Sequence, residues 1–317
     1  MRWIAILVIA SSLLFSATVY AESQVISPIP DTELFISPIV ETKPEVTFGD
    51  LLNAVPDTEM VLGVSVETTP ASVTTIEPTP QPKADLPLAD IRSTNKRAIT
   101  ISLVGDSMVD TLGPVGGGLA SKLNRVYPNS TFTIINHGVG AENIDSGVRR
   151  LTNGYSYLGL GRNAVVSEKP DVIVVESFGY NPYPLPDLSD ALTKHWLKLA
   201  EIVDTIRREL PETKIVIAAT IAPNWDTFGD GAPFISMSPE GKRTKVEEIK
   251  KYIESTIGFA KSQGLPLANA YTPSLDGNGN GKLTYINPGD HIHYSDSGRN
   301  LMAQKIADAI IGNRLLE

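Results

Sequence analysis

The stretch "AITISLVGDSMVDT", residues 98–111, joins an apolar run to a polar turn. Residues 98–104 are mostly apolar and rich in β-branched side chains, which is typical of a strand buried on both faces of a parallel sheet. The run ends in Gly105-Asp106-Ser107, and we expect no helix before Val115. Any turn recruits Gly, Asp and Ser, so this tripeptide alone does not distinguish a turn from a nucleophile.

Similar runs and amphipathic helices alternate through the rest of the chain. Strands are predicted at residues 131–136, 171–177, 214–220 and near 265–271, and long helices at 187–210, 239–262 and 298–311. Repeated strand–helix order predicts three α/β/α layers around a doubly wound, mainly parallel five-stranded sheet, a flavodoxin-like architecture. We place this domain at residues 98–317.

The first 21 residues have the features of an export signal. Arg2 is an early cation, an apolar stretch follows from Trp3 to about Tyr20, and small residues surround Ala21, after which we expect cleavage. The stretch approaches the roughly 20 residues that span a bilayer. An uncleaved N-terminal anchor is therefore the alternative, and either form predicts a location outside the cell or on its surface.

Residues 22–97 differ in composition from everything that follows. They are rich in Pro, Thr and Glu and contain "ISPI" twice and "PDTE" twice. Repeated prolines disfavour regular secondary structure and favour extended chain. This segment is predicted to be a largely disordered spacer, with membrane contact only through the N-terminal segment.

Charge and cysteine content exclude some classes of protein. The formal net charge is −9, which disfavours nucleic-acid binding, and the chain has no cysteine. An exported chain without disulfides must be stabilised by its packed core. The turn at 105–118 also lacks the glycine spacing of a dinucleotide site and a G-K-[ST] ending, which disfavours nucleotide binding.

A serine nucleophile requires a base and an orienting acid. The chain has four histidines. His195 is interpreted as a boundary residue of its helix, and His137 as a residue that either lines the site or packs. In "NPGDHIHYSDSG" (287–298), Asp290 precedes His293 by three residues, so one loop can hold a carboxylate against the imidazole. The alternative is a polar turn that caps the final helix.

Four short blocks of the sequence, taken in order, resemble the four motif blocks of the SGNH (GDSL-type) hydrolases. The blocks are Gly105-Asp106-Ser107, "NHGVGAEN" (136–143), Gly179-Tyr180-Asn181, and Asp290 with His293. The resemblance covers about residues 98–317. It implies the SGNH hydrolase fold, with Ser107, His293 and Asp290 as catalytic triad.

The resemblance also implies an oxyanion hole. Its donors would be the Ser107 amide, the Ala141 or Gly140 amide, and the Asn181 side chain. Ala141 stands where the family usually has glycine, and which of the two amides points inward is open. A proline also replaces the frequent aspartate after the asparagine of the third block. Asp106 is interpreted chiefly as a structural residue of the turn.

The implied reaction is acyl transfer through a covalent serine ester, without metal or organic cofactor. Candidate substrate contacts are Asp106, Tyr180, Tyr183 and Trp225, although the aromatic residues are equally consistent with packing. Export and a spacer favour a monomeric esterase that removes short acyl groups, O-acetyl first, from a small molecule, polysaccharide or cell-wall polymer.

Three other functions stay open. An O-acyltransferase would use the same serine ester, a lipase or lysophospholipase-type enzyme would prefer long acyl chains, and a surface binding module would have kept the fold without catalysis. A glycan acceptor, a panel of acyl chain lengths and covalent labelling by a fluorophosphonate separate them.

The stretch "SLDGNGNGKLTYIN" (274–287) contains a weak calcium motif. Asp276, Asn278 and Asn280 match the alternating oxygen ligands of an EF-hand loop, but position twelve is Asn287 instead of glutamate. No EF-hand helices flank it. A glycine-rich turn is the favoured interpretation.

Overall fold

The computed structural model describes residues 91–94 and 96–317. The predicted export signal and most of the predicted spacer lie outside these residues. The strands are β1 (Ala98–Gly105), β2 (Thr131–Gly138), β3 (Tyr155–Tyr157), β4 (Leu160–Arg162), β5 (Val172–Glu176), β6 (Lys214–Ala219) and β7 (Leu267–Asn269).

Five of these strands form one sheet in the order β2-β1-β5-β6-β7. Every neighbouring pair is parallel, which confirms the predicted five-stranded sheet. The other two strands, β3 and β4, pair antiparallel as a hairpin that the sequence analysis did not predict.

The helices are α1 (Ser107–Asp110), α2 (Leu119–Val126), α3 (Ile144–Thr152), α4 (Leu188–Glu209), α5 (Pro239–Ser262), α6 (Tyr271–Ser274) and α7 (Asp296–Gly312). Side-chain caps start the three long helices, because Asp187, Ser238 and Ser295 each accept a hydrogen bond from a backbone N–H of the first turn. None of the helices among the described residues combines the length and apolar character that a membrane span requires.

Alternating side chains of the sheet supply two separate cores, one on each face. Along β5, Val172 and Val174 belong to one core, and Ile173 and Val175 to the other. Helices α2 and α7 cover the first face, α3 and α4 cover the second, and α5 contributes to both. This arrangement is the predicted three-layer fold, and burial on both faces explains why the strand sequences are apolar throughout.

Two expectations about local structure were wrong. A helical turn begins at Ser107, well before Val115, because Asp106 caps it with its own carboxylate. His195 is not a boundary residue, since its side chain is buried against Tyr252 and its Nε2 donates to the Ser177 carbonyl at 2.8 Å.

The last residues of the predicted spacer contact the body. Arg92 N donates to the Val126 carbonyl at 2.8 Å, and its guanidinium donates to the Ile311 carbonyl at 2.9 Å and to Glu317 at 3.1 Å. These partners lie at the ends of α2 and α7, next to the amino ends of the strands. This edge of the sheet is opposite to the one that follows Gly105.

Candidate active site

The candidate residues lie on segments that follow the carboxyl ends of parallel strands. The backbone of Gly105, at the end of β1, is in register with Gly138 at the end of β2. On its other side, Val104 is in register with Val175 near the end of β5. Carboxyl ends of parallel strands share one edge, which is where ligands bind in open α/β sheets.

Ser107 is the first residue of α1, directly after β1. The capping carboxylate of Asp106 accepts a hydrogen bond from Met108 N at 2.8 Å. Gly105 is required for the close approach of this turn, because a Cβ there would lie 2.3 Å from Val109 Cγ2. The half-buried Ser107 side chain makes no hydrogen bond among the described residues, so its hydroxyl is unengaged.

The third block meets the first through one hydrogen bond. Asn181 Nδ2 donates to Asp106 Oδ2 at 2.9 Å. The loop after β5 brings this amide into place by a tight turn in which Asn181 N donates to the Phe178 carbonyl and Phe178 adopts φ 50°. The Asn181 side chain therefore lies against the residue that precedes Ser107.

Asp290 and His293 are in direct contact. His293 Nδ1 donates to Asp290 Oδ2 at 3.0 Å, and both side chains are buried. Ile292 N and His293 N donate to Asp290 Oδ1, and Asn287 Nδ2 donates to Oδ2. Burial raises the pKa of Asp290, but the hydrogen bond and charge of His293 and the backbone donors outweigh burial and hold this pKa below its ordinary value.

No hydrogen bond joins Ser107 to His293 in the described part of the chain. The imidazole is nevertheless within electrostatic reach of both ends of α1. Burial raises the pKa of Asp106 and of Asp110, and the His293 charge is among the groups that lower both. A ring fixed at Nδ1 by Asp290 leaves Nε2 as the nitrogen that can accept a proton.

Hydrogen bonding in the second block distinguishes the two candidate oxyanion-hole amides, Gly140 N–H and Ala141 N–H. Gly140 N donates to the hydroxyl of Tyr157 at 3.1 Å, so that amide already has an acceptor. Ala141 N donates to no acceptor among the described residues, and Ala141 adopts the left-handed conformation with φ 57°. Of the two, the Ala141 amide is the one available to a ligand.

Arg150 joins the ends of the first two strands, a feature that sequence reasoning missed. Its guanidinium is buried and donates to the carbonyls of Gly105, at 3.0 Å, and His137. His137 packs beneath the site, hydrogen-bonded to Glu168 at 2.7 Å and to Tyr155 at 2.9 Å. The Arg150 guanidinium, which α3 carries, thus holds the Gly105 carbonyl at the start of the turn that carries Ser107.

Glu176, also missed, is a second buried carboxyl behind Asp106. It is fully buried and accepts hydrogen bonds from Ser177 Oγ and from Phe178 N. Burial first, and then the neighbouring Asp106 carboxylate, raise the pKa of Glu176 well above its ordinary value. A glutamate at the end of an apolar strand was the sequence signal for this group.

The candidate substrate contacts prove to be mostly packing residues. Asp106 is fully buried and both its oxygens are hydrogen-bonded, so it presents no surface to a ligand. Tyr180 and Tyr183 are buried, and their hydroxyls donate to the Ile221 carbonyl and to Asp145 Oδ1.

Trp225 is also engaged by the protein. It packs against the core, and Arg243 and Lys250 of α5 each lie 5.4 Å from its ring centroid. These contacts favour the packing interpretation of the aromatic residues.

The 276–281 segment forms a turn whose side chains bond within the protein. Asp276 Oδ1 accepts from Asn278 N and Asn280 N, and Asn280 Oδ1 accepts from Trp225 N. Asn280 Nδ2 donates to Asp226 Oδ2. The turn thereby supports the loop after β6, and one side-chain oxygen each of Asp276 and Asn280 already accepts backbone hydrogen bonds. The described residues contain no cluster of three or more His, Cys, Asp or Glu that fits a metal ion.

Comparison with solved structures finds similar chains at low sequence identity. A lipase/acylhydrolase from Enterococcus faecalis has 19% identity and a TM-score of 0.46, covering 68% of this chain and 96% of that one. A catalytic mutant of Axe2, an acetylxylan esterase from Geobacillus stearothermophilus, has 14% identity and a TM-score of 0.47, with coverage of 67% and 94%.

A third structure is that of BT4096, a gut microbial diltiazem-metabolizing enzyme. It has 18% identity and a TM-score of 0.50, covering 70% of this chain and 48% of that one. No curated protein matches the sequence. The profile of the GDSL-like lipase/acylhydrolase family matches residues 103–301, which contain all four blocks. The chain belongs to the GDSL-like lipase/acylhydrolase family.

Proposed function

We propose that this protein is an exported serine esterase that uses Ser107, His293 and Asp290 to hydrolyse short acyl esters, with O-acetyl groups on carbohydrate or cell-wall polymers as the first candidate substrates. The observation that carries the proposal is the 3.0 Å hydrogen bond from His293 Nδ1 to Asp290 Oδ2, within electrostatic reach of the Ser107 turn. This bond leaves Nε2 to serve as the general base.

In the proposed reaction Ser107 Oγ attacks the ester carbonyl carbon while His293 Nε2 takes the hydroxyl proton. The negative oxygen of the tetrahedral intermediate accepts hydrogen bonds from the amides of Ser107 and Ala141 and from Asn181 Nδ2. The C–O bond to the alcohol then breaks, and the alcohol leaves with the proton from His293. Water repeats the attack on the acyl-enzyme, with His293 again as base, and releases the carboxylic acid.

The electrostatics of the described groups support this cycle. Asp290 keeps a depressed pKa, so it stays ionised and stabilises the imidazolium that forms beside it. The carboxylate of Asp290 is itself held by four hydrogen bonds, which fix the tautomer of His293.

The substrate class rests on the sequence. The predicted export signal and proline-rich spacer favour a target outside the cell, and a polymer that bears small acyl groups matches an enzyme held on a spacer. The same features support an enzyme that is either released or anchored by residues 1–21.

The proposal is tested with the purified chain and its Ser107→Ala variant. We expect the wild type to hydrolyse p-nitrophenyl acetate and to be labelled at Ser107 by a fluorophosphonate, and the variant to do neither while keeping its thermal midpoint. Near-normal turnover by Ser107→Ala would refute the assignment. A panel of acyl chain lengths then tests the substrate, since preference for long chains would contradict an O-acetyl esterase. Product formed only with a glycan acceptor would indicate acyl transfer.

A further inference from the structure

The unpredicted β3–β4 hairpin places a tyrosine hydroxyl between the turn that carries Ser107 (residues 105–110) and the part of the second block that follows β2 (residues 139–143). Tyr157, the last residue of β3, accepts a hydrogen bond from Gly140 N at 3.1 Å. The same hydroxyl donates to Asp110 Oδ2 at 3.0 Å. Asp110 ends the helical turn that Ser107 begins. One hydroxyl therefore links the segment that carries the nucleophile to the segment that carries Ala141.

The hairpin itself is attached to the end of β2. Arg162, which pairs with Tyr155 across the hairpin, donates from its guanidinium to the Asn136 carbonyl at 2.6 Å and lies 5.9 Å from the Tyr157 ring centroid. The Tyr157 side chain is 9% exposed. A ring held by burial and by a cation has little freedom to turn its hydroxyl away from Gly140.

The loop that Tyr157 contacts contains a residue in an unfavourable backbone conformation. Ala141 has φ 57°, a left-handed conformation that costs a residue with a Cβ roughly 1–2 kcal/mol. Such a conformation persists only where the surroundings hold it. The hydrogen bond from Gly140 N to Tyr157 fixes the Val139–Gly140 peptide, which immediately precedes the peptide that carries the Ala141 N–H.

We propose that Tyr157 is a positioning residue of the oxyanion hole: its hydroxyl binds Gly140 N and Asp110 together, so that the next amide, Ala141 N–H, is held at a fixed distance from Ser107. This inference rests on the proposed esterase function. Tyr157 does not touch the reacting atoms, and it acts through the loop. Misplacing a transition-state donor by about 1 Å costs on the order of 100-fold in rate, so the hydroxyl has a measurable effect.

Tyr155 supplies a matched control in the same hairpin. Its hydroxyl bonds to His137, within β2, and to neither Gly140 nor Asp110, which are the two partners of the Tyr157 hydroxyl. We therefore compare Tyr157→Phe with Tyr155→Phe in the full chain, measuring kcat and KM for p-nitrophenyl acetate. The affinity of a trifluoromethyl ketone is measured in parallel, because this inhibitor adds to the serine and places a negative oxygen in the oxyanion hole.

For Tyr157→Phe we expect kcat to fall about 10- to 100-fold with KM within about twofold of wild type, and the trifluoromethyl ketone to weaken by a similar factor. Tyr155→Phe should stay within about threefold of wild type in all three quantities. The inference is overturned if Tyr157→Phe performs like Tyr155→Phe, or if turnover falls without weaker binding of the ketone.

If Tyr157→Phe has no cooperative thermal transition, Asp110→Asn replaces it, because that change weakens the acceptor of the hydroxyl and keeps the ring in place. A joint fall in kcat and ketone affinity supports the inference, and unchanged values contradict it. Failure of the proposed function is recognised separately: the wild type itself would then neither hydrolyse the ester nor be labelled at Ser107.

Discussion

Asn181 Nδ2 and Asp106 Oδ2 are joined by a hydrogen bond of 2.9 Å, so the third block is fixed to the residue before Ser107, the proposed nucleophile. The other oxygen of Asp106 caps the helical turn of Ser107 through Met108 N. An amide NH₂ has two hydrogens, and Asp106 takes one of them. The second is available to a substrate oxygen, at a place set by the turn of Ser107.

Asn181→Ala is expected to lower kcat for p-nitrophenyl acetate about 100- to 1000-fold, because it removes one donor to the developing oxyanion. KM should change little, since the bond strengthens only in the transition state. Asn153→Ala, at an exposed position after α3, is the control and should match wild type. Equal turnover by the two variants would remove Asn181 from the oxyanion hole.

Asp290→Asn is expected to lower kcat about 10³- to 10⁴-fold, because an amide in place of the carboxylate no longer selects the tautomer with a proton on His293 Nδ1. Asp296→Asn serves as the matched control, since the Asp296 side chain is 96% exposed at the start of α7. Both variants are assayed for turnover and for thermal midpoint. A drop confined to the midpoint, with kcat of the folded Asp290→Asn protein intact, would contradict the orienting role.

The contribution of His195 to the stability of the protein should fall as the pH is lowered from about 6.5 to about 4. Burial lowers the pKa of His195 from 6.5 to about 4, and the hydrogen bond to the Ser177 carbonyl offsets only part of this. The folded state therefore keeps the ring neutral while the unfolded chain takes up a proton, so stability is present above pH 6.5 and is lost toward pH 4.

The shift corresponds to about 3 kcal/mol at the acid end of this window. Urea unfolding at pH 7.5 and pH 4.5 measures it, with His195→Gln as a neutral comparison that keeps a donor for the Ser177 carbonyl. The wild type should lose more stability than the variant between the two pH values. Parallel losses would show that His195 does not titrate in this range.

Removing residues 91–97 from the folded body should lower its thermal midpoint. The fragment 98–317 loses the Arg92 hydrogen bonds to Val126, Ile311 and Glu317, which together contribute about 1–2 kcal/mol. For a body of this size we expect a midpoint about 2–8 °C below that of the fragment 91–317.

Turnover of p-nitrophenyl acetate by the two fragments should be the same, because these contacts lie at the edge of the sheet away from Ser107. Equal midpoints would place the start of the stable body at Ala98. A large loss of turnover in the shorter fragment would show that this segment reaches the site.

Calcium should leave the thermal midpoint unchanged. Asp276 Oδ1 and Asn280 Oδ1 already accept backbone hydrogen bonds, and position twelve of the motif is Asn287. Melting in millimolar CaCl₂ and in EDTA is the measurement. A stabilisation by calcium that disappears in Asp276→Ala would establish a site there.

The sheet and the long helices were predictable because their signals are local and repeated. Buried parallel strands read as continuous β-branched runs, and helices α4 and α5 have apolar residues every three or four positions. The segment Tyr155–Arg162 has no such signal, since its strands have three residues each and are held by contacts to β2 and to the loop after it. Local sequence does not encode contacts of that kind.

The site was predictable as far as residue types and order allow. Asp290 and His293 lie three residues apart, so their contact follows from spacing. The choice between the Gly140 and Ala141 amides does not, because it depends on a hydroxyl 17 residues further along the chain. The burial of Tyr180 and Tyr183 was also undecided, since an aromatic residue beside a catalytic motif serves packing and binding equally well in sequence.

The bonds of Arg92 to Ile311 and Glu317 bring both ends of the described body to the edge where the strands begin, with Ser107 at the opposite edge. A carrier, bead or reporter joined to either of these ends would therefore stand at the edge of the sheet away from Ser107. For the proposed esterase, immobilisation through either of these ends would leave the edge that carries Ser107 facing a bulky, insoluble polymer.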